Sequence, residues 1–199
     1  MIAILDYGAG NLHSVENALD ALGAQHERVR SPESLRAASR IILPGVGHFG
    51  QMIRSIDSLG LRAPLKERIE AGTPFLGICL GLQSLFERSE EAPDLVGLAL
   101  LPGVVRKFGE GARVPHMGWS PVSPREGATM FRGAGSEPYL YFAHSFYAPL
   151  VDATAAVCDY TVPYTAAIER GNLFGVQFHP EKSGQLGLRI LRNFVEASC

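Results

Sequence analysis

Gly77-Ile78-Cys79-Leu80-Gly81 has the residue types and spacing of a nucleophile elbow. An apolar run, Phe75 to Ile78, meets a helix-compatible stretch, Leu80 to Arg88, and the two glycines let backbone crowd in on either side of a strained turn. The apex side chain is a thiol. At a helix N-terminus the unpaired N–H groups favour an anion, which raises the thiolate fraction. A buried cysteine packed as a small apolar residue is the plainer alternative. His179-Pro180-Glu181, directly after the apolar run Phe174 to Phe178, offers the partners such a thiol needs. A residue before proline is pushed toward extended geometry, where positions i and i+2 share a side, so His179 and Glu181 can face one cleft as base and orienting carboxylate. A surface histidine beside a capping glutamate is the alternative here. Pro44-Gly45-Val46-Gly47 follows the run Ile41 to Leu43 and could turn backbone N–H groups toward a developing oxyanion, each such donor worth roughly 3 to 4 kcal/mol. Alone, that glycine-rich stretch says only that the chain turns.

These groups must be positioned by something rigid. The runs Ile2 to Leu5, Ile41 to Leu43 and Phe75 to Ile78 predict strands buried on both faces. Between them, Asn11 to Leu22 carries Val15, Leu19 and Leu22 on one stripe, and Pro64 to Ala71 begins with a proline suited to a first helical turn. This alternation predicts a parallel sheet with helices on both faces. In the second half, Tyr139 to Tyr147, Ala155 to Tyr160, Thr165 to Glu169 and Leu173 to Phe178 predict hairpins and mixed strands, and Gln185 to Glu196 a closing helix with Leu188, Leu191 and Val195 toward the core. No linker separates the halves. The expectation is a single α/β domain over 1–199, with a central, mostly parallel sheet, flanking helices and an antiparallel extension. Ligands bind such sheets at the carboxyl ends of strands, where Cys79 and His179 fall.

Composition removes several classes of function. The 199 residues carry 18 Lys+Arg against 20 Asp+Glu, a net charge of -2, with the basic residues scattered, which argues against wrapping a nucleic acid. A chain this long can bury roughly 70% of its unfolded surface in one core, so stability requires no disulfide or metal. The longest apolar run, Val96 to Val105, is interrupted by Gly97, Pro102 and Gly103 and falls short of the ~18 residues of a membrane span. Met1 to Leu5 meets Asp6 with no basic region before it, so no signal peptide is expected. Cys79, Cys158 and Cys199 fit neither a disulfide framework nor a CxxC metal site, which points to a reducing, cytoplasmic compartment. In Gly8-Ala9-Gly10-Asn11 the third glycine of a dinucleotide loop would fall on His13, and His48, His116 and His144 lack metal-ligand spacing. Neither a cofactor nor a metal is expected.

Taken together, DYGAGN (Asp6 to Asn11), PGVGHF (Pro44 to Phe49), LGICLGLQ (Leu76 to Gln83), PHMGW (Pro115 to Trp119), YFAHS (Tyr141 to Ser145) and QFHPEKS (Gln177 to Ser183) span nearly the whole chain. In this order they resemble the class I (triad) glutamine amidotransferases and, within them, the glutaminase subunits of imidazole glycerol phosphate synthases. The resemblance implies a flavodoxin-like fold and hydrolysis of glutamine to glutamate and ammonia. It further implies a heterodimer in which ammonia passes through a tunnel to a (β/α)8 cyclase subunit, which makes imidazole glycerol phosphate and an aminoimidazole carboxamide ribonucleotide in histidine biosynthesis. By the same resemblance Cys79 is the nucleophile, His179 the base and Glu181 its orienting group, and the oxyanion is met by N–H groups of Leu80 and of Val46 or Gly47. Gln83 and the stretch His144, Ser145 and Phe146 would bind glutamine. Asn11, Trp119, Tyr141 and Lys182 would contact the partner, although a tryptophan is as readily a core residue. Ser120 departs from the family pattern, where Asn is expected after the tryptophan. Val46 is β-branched, so a positive φ there is costly; the oxyanion N–H is then expected to point away until the partner and its ligand bind. The function alternatives are the glutaminase of another triad amidotransferase, a triad peptidase, or a catalytically inactive partner-binding homologue.

Overall fold

The computed structural model describes residues 1–197; Cys199, one of the three cysteines weighed above, lies outside them. The first half runs β1 (Ile2–Leu5), α1 (Leu12–Ala21), β2 (His26–Val29), α2 (Pro32–Arg36), β3 (Arg40–Gly45), α3 (Phe49–Ser58), α4 (Arg62–Glu70), β4 (Phe75–Cys79), α5 (Leu80–Gln83) and β5 (Phe86–Ser89). The second continues with β6 (Leu101–Lys107), β7 (His116–Pro121), β8 (Ser123–Pro124), β9 (Tyr139–His144), β10 (Phe146–Tyr147), β11 (Thr154–Asp159), β12 (Pro163–Arg170), β13 (Leu173–Val176) and α6 (Gly184–Glu196).

Eight strands form one sheet in the order β2-β1-β3-β4-β13-β12-β11-β8. From β2 to β13 every pairing is parallel, and from β13 to β8 every pairing is antiparallel. The mostly parallel sheet with an antiparallel extension is therefore as expected. Every residue of β1, β4 and β13 is buried, because helices and loops cover both faces. On one face α1 and α6 pack Val15, Leu19, Ile190 and Phe194 against Ile4, Leu76 and Phe174; on the other α3 and α4 bury Met52, Ile53, Ile56 and Leu65 against Leu5, Ile41 and Leu43.

Several expectations shift. The closing helix buries Gly187, Ile190, Leu191 and Phe194, while Leu188 and Val195 only flank the core. The stripe is rotated by about one residue because a Cβ on Gly187 would run into the carbonyl of Pro180, so the helix seats its glycine, not a leucine, against that turn. The run Tyr139 to Tyr147 divides at Ser145 into β9, which pairs with β7, and β10, which pairs with β6. The two small sheets so formed, β10-β6-β5 and β7-β9, were not anticipated, and neither was β2, whose exposed Glu27 and Arg28 show no apolar alternation.

Around the elbow, backbone meets backbone without side chains between. A Cβ on Gly77 would lie 2.5 Å from the Gly81 carbonyl oxygen, one on Gly45 2.5 Å from the Gly81 N, and one on Gly81 would strike the Leu43 carbonyl. Gly81→Ala is therefore expected to destabilise the chain by about 3 kcal/mol or more, since only backbone movement relieves the clash. Urea unfolding of the full chain checks this, and an unchanged midpoint would refute the close approach.

Candidate active site

Cys79 ends β4 with φ 53° and ψ −107°. Among the described residues only it and Ala99 are non-glycine residues with positive φ. A left-handed cysteine costs about 1–3 kcal/mol, and such strain persists where the surroundings over-determine it, as the glycine contacts do here. The helix that follows is shorter than expected. In place of a helix to Arg88, α5 stops after one turn at Gln83 and the chain enters β5. Residues 97–101 double back alongside and donate from Gly97 N to Glu87 O, Leu98 N to Ser84 O, and Leu100 N and Leu101 N to Leu85 O, capturing carbonyls that a longer helix would have used. With one turn only, the helix dipole contributes less to a thiolate than supposed. Gln177 Nε2 instead donates to Cys79 Sγ at 3.6 Å.

Strand pairing brings the other two elements to either side of the thiol. In the β3–β4 register Gly45 lies opposite Cys79, and β13 flanks β4 on the other edge with Val176 opposite Ile78. His179, three residues beyond β13, has the extended φ −99° and ψ 95° of a residue before proline. Glu181 does not follow by strand alternation. Pro180–Lys182 forms a 3-10 turn, and this folds the carboxylate back so that Glu181 Oε1 lies 2.8 Å from His179 Nδ1. The two side chains are 1% and 4% exposed, respectively. The turn is bolted to β9: His179 N–H donates to the Tyr141 carbonyl, Ser183 Oγ donates to the His179 carbonyl, and Tyr141 N–H donates to Ser183 Oγ. Burial alone would lower the pKa of His179. Hydrogen bonding and charge from Cys79 and Glu181 outweigh it and push the imidazole up to about 10, so it is protonated at neutral pH.

A cavity of about 330 Å³ opens in front of the thiol. Cys79, His179, Val46, Gly47, Leu80, Gln83, His144, Ser145, Phe146 and Lys182 all line it, together with Glu91, Pro115 and Met117. Glu181 stands behind His179, outside the lining, and Asn11, Trp119 and Tyr141 are also outside it. Val46 stays out of the left-handed region, and the positive φ of this turn, 95°, falls on Gly47. Gln83 is buried and spends both amide hydrogens internally, on the Phe146 carbonyl at 2.7 Å and on Gln177 Oε1 at 3.0 Å, so only its Oε1 remains for a ligand. Both ring nitrogens of His144 are likewise committed within the protein. Trp119 is no core residue: it is 55% exposed on β7, edge-to-face with Tyr141 of β9.

The family model for "Glutamine amidotransferase class-I" matches residues 3–197. The chain belongs to the class I glutamine amidotransferases. It is 50% identical over 197 residues to the imidazole glycerol phosphate synthase subunit HisH of Methanothermobacter thermautotrophicus, covering 98% of each chain. To the HisH subunit of Moorella thermoacetica it is 49% identical over 198 residues, covering 98% of this chain and 94% of that one. A solved glutamine amidotransferase superposes with a TM-score of 0.79 at 21% identity, covering 98% and 97% of the two chains, and PurLQS from Thermotoga maritima with 0.76 at 21% identity, covering 98% and 96%. These last two share the fold.

Two residues at the site, Gln177 against the thiol and Glu91 in the cavity lining, escaped sequence reasoning. Gln177 stands within QFHPEKS and was legible as part of that motif, without a role of its own. Glu91 enters the cavity from the turn after β5, and the sequence carries no local sign that α5 gives way to a strand there. Among the described residues no group of three or more His, Cys, Asp or Glu side chains could hold a metal ion, and no helix is long and apolar enough to cross a membrane.

Proposed function

We propose that this chain is the glutaminase subunit of an imidazole glycerol phosphate synthase, acting as a single cytoplasmic domain. It hydrolyses glutamine to glutamate and ammonia and passes the ammonia through a tunnel to a (β/α)8 cyclase in a heterodimer. One observation carries the reading: a strained cysteine lies between the PGVG turn and a buried His179–Glu181 pair, in a chain half identical to HisH subunits. The Cys79 thiolate attacks the side-chain amide carbon of glutamine. His179 gives its proton to the leaving nitrogen, ammonia departs and a thioester remains. Water then loses a proton to His179 as it attacks the thioester, and glutamate leaves as the thiolate re-forms. Glu181 keeps the imidazole in one orientation throughout. The oxyanion is met by the Leu80 N–H and by one from Val46 or Gly47.

Glutamine recognition fits the remaining lining. Glu91 is the carboxylate of the cavity and suits the α-ammonium group, its Oε2 held in place by the Phe49 N–H at 2.7 Å. Gln83 Oε1 and backbone groups of Ser145 and Phe146 supply further contacts. The cyclase would dock on the exposed face of β7 and β9, where Met117, Trp119 and Tyr139 are 64%, 55% and 55% exposed and Tyr141 packs edge-to-face with Trp119, and it would also reach Lys182 and Asn11.

The oxyanion turn supplies a regulatory reading. Because Val46 resists the left-handed conformation, its N–H turns toward the oxyanion only when the partner and its ligand are bound. Co-purification with a (β/α)8 cyclase, followed by glutaminase assays with and without its nucleotide, tests both points. Complex formation and a rate increase of roughly 10²- to 10³-fold, the worth of one oxyanion donor, are expected. No association refutes the assignment, and equal rates in the free and loaded states refute the Val46 mechanism.

A further inference from the structure

Hydrogen bonds cross the interior from β7 to Cys79, and the chemistry of each partner sets which way each one points. The Phe146 carbonyl, which can only accept, lies 2.8 Å from His144 Nδ1, so that nitrogen carries the ring proton. His144 is buried, and burial depresses its pKa to about 3, so the ring is neutral and Nε2 is an acceptor. Tyr164 Oη, 3.2 Å away, therefore donates to it. With its one proton spent, Tyr164 accepts from His116 Nδ1 at 3.1 Å. His116 is also neutral, its pKa lowered by burial to about 4, so its Nε2 accepts from the Ser120 hydroxyl at 2.8 Å. The His116 ring stacks on Phe142 and Tyr160, which fixes its plane. At the other end the same Phe146 carbonyl accepts from Gln83, which donates also to Gln177, which donates to the Cys79 sulfur.

We propose that Tyr164 is a positioning residue for the glutamine site: its hydroxyl, donating to His144 and accepting from His116, locks each ring in one tautomer and so holds the Phe146 carbonyl and Gln83 in place at the pocket. This rests on the function proposed above and adds a residue to it. Tyr164 is fully buried and does not line the cavity, so its hydroxyl reaches the pocket through His144. An inverted His144 would turn a bare nitrogen lone pair on the Phe146 carbonyl and push that edge of the pocket away. The Ser120 hydroxyl is the outer end of this line.

The test is ¹⁵N-histidine NMR of the full chain at neutral pH, joined to the kinetics of Cys79 alkylation by a glutamine-analogue electrophile. In the wild type both His116 and His144 should be neutral Nδ1–H tautomers, and their ring nitrogens should shift when Cys79 is alkylated. Tyr164→Phe keeps the ring and deletes the hydroxyl. His116 should then move to the Nε2–H tautomer, which can donate to Ser120. The half-saturating electrophile concentration should rise about five- to tenfold, with the limiting alkylation rate within about twofold, as loss of one hydrogen bond from ground-state binding would give. A charged or Nε2–H ring in the wild type, ring signals indifferent to alkylation, or a Tyr164→Phe variant with unchanged half-saturation would overturn the proposal. The first two readings need no variant, so they decide it even if Tyr164→Phe does not fold. Tautomers are read without turnover, so failure of Cys79 to react would count against the glutaminase assignment and leave the tautomer result standing.

Discussion

Cys79→Ala is expected to abolish glutamine-dependent product formation by the complex, by on the order of 10⁵-fold or more, while synthesis from added ammonia continues at the wild-type rate. The split follows from where the chemistry sits. Sγ is the only heavy atom removed, and in the proposed mechanism it is the atom that forms the thioester, whereas the acceptor reaction is assigned to the cyclase. Alanine is the right replacement because it keeps a Cβ at φ 53°, so the elbow carries the same backbone strain and the fold is not relaxed by the change. The check is steady-state synthesis with glutamine and with ammonium salt in parallel, beside labelling by a glutamine-analogue electrophile. A variant that still uses glutamine at a substantial rate would remove Cys79 from the site, and loss of both activities would point to a misassembled complex.

The second large effect is expected from Glu181→Gln, a fall of about 10²- to 10⁴-fold in glutaminase rate. This substitution separates charge from hydrogen bonding unusually well. Glu181 Oε1 holds His179, while Oε2 is buried with no hydrogen-bond partner among the described residues, so a glutamine can keep its oxygen toward His179 and place its NH₂ where no bond is broken. What is lost is the negative charge that helps hold His179 up to about 10. The pH dependence of stability carries the same signature. His179 is raised above its unfolded value of about 6.5, so its contribution is complete below about pH 6.5 and is lost as pH rises through about 10. In Glu181→Gln the His179 pKa falls and the stability curve flattens between those limits. Urea melts across that range and an NMR titration of His179 are the measurements. An unchanged His179 titration, or a rate within twofold of wild type, would show that Glu181 does not govern the base.

Much of the site was legible because its chemistry is local in sequence. Gly77, Gly81 and the intervening cysteine announce a turn that only glycine-flanked backbone can make, and the proline after His179 fixes that residue in extended geometry whatever surrounds it. The strands β1, β3 and β4 were legible because burial on both faces requires continuous apolar runs. Where the reading failed, a distant segment competed with a local preference. Leu80 to Arg88 carries helix-compatible residues, yet residues 97–101 take its carbonyls and cut it to one turn. Glu181 was placed beside His179 for the wrong reason, since a 3-10 turn secured by Ser183 and Tyr141 brings it there.

Residue types say which atoms can react and in what order they occur along the chain, because thiol, imidazole, carboxylate and glycine have chemical properties that do not depend on the fold. That Gln177 faces the thiol, that Glu91 reaches the cavity, that Trp119 is presented to solvent and that Tyr164 joins two histidines emerges only in three dimensions. Each of these depends on strand register or on a contact between segments tens of residues apart, and such pairings are selected by burial and hydrogen-bond satisfaction across the whole domain rather than by any local run of residues.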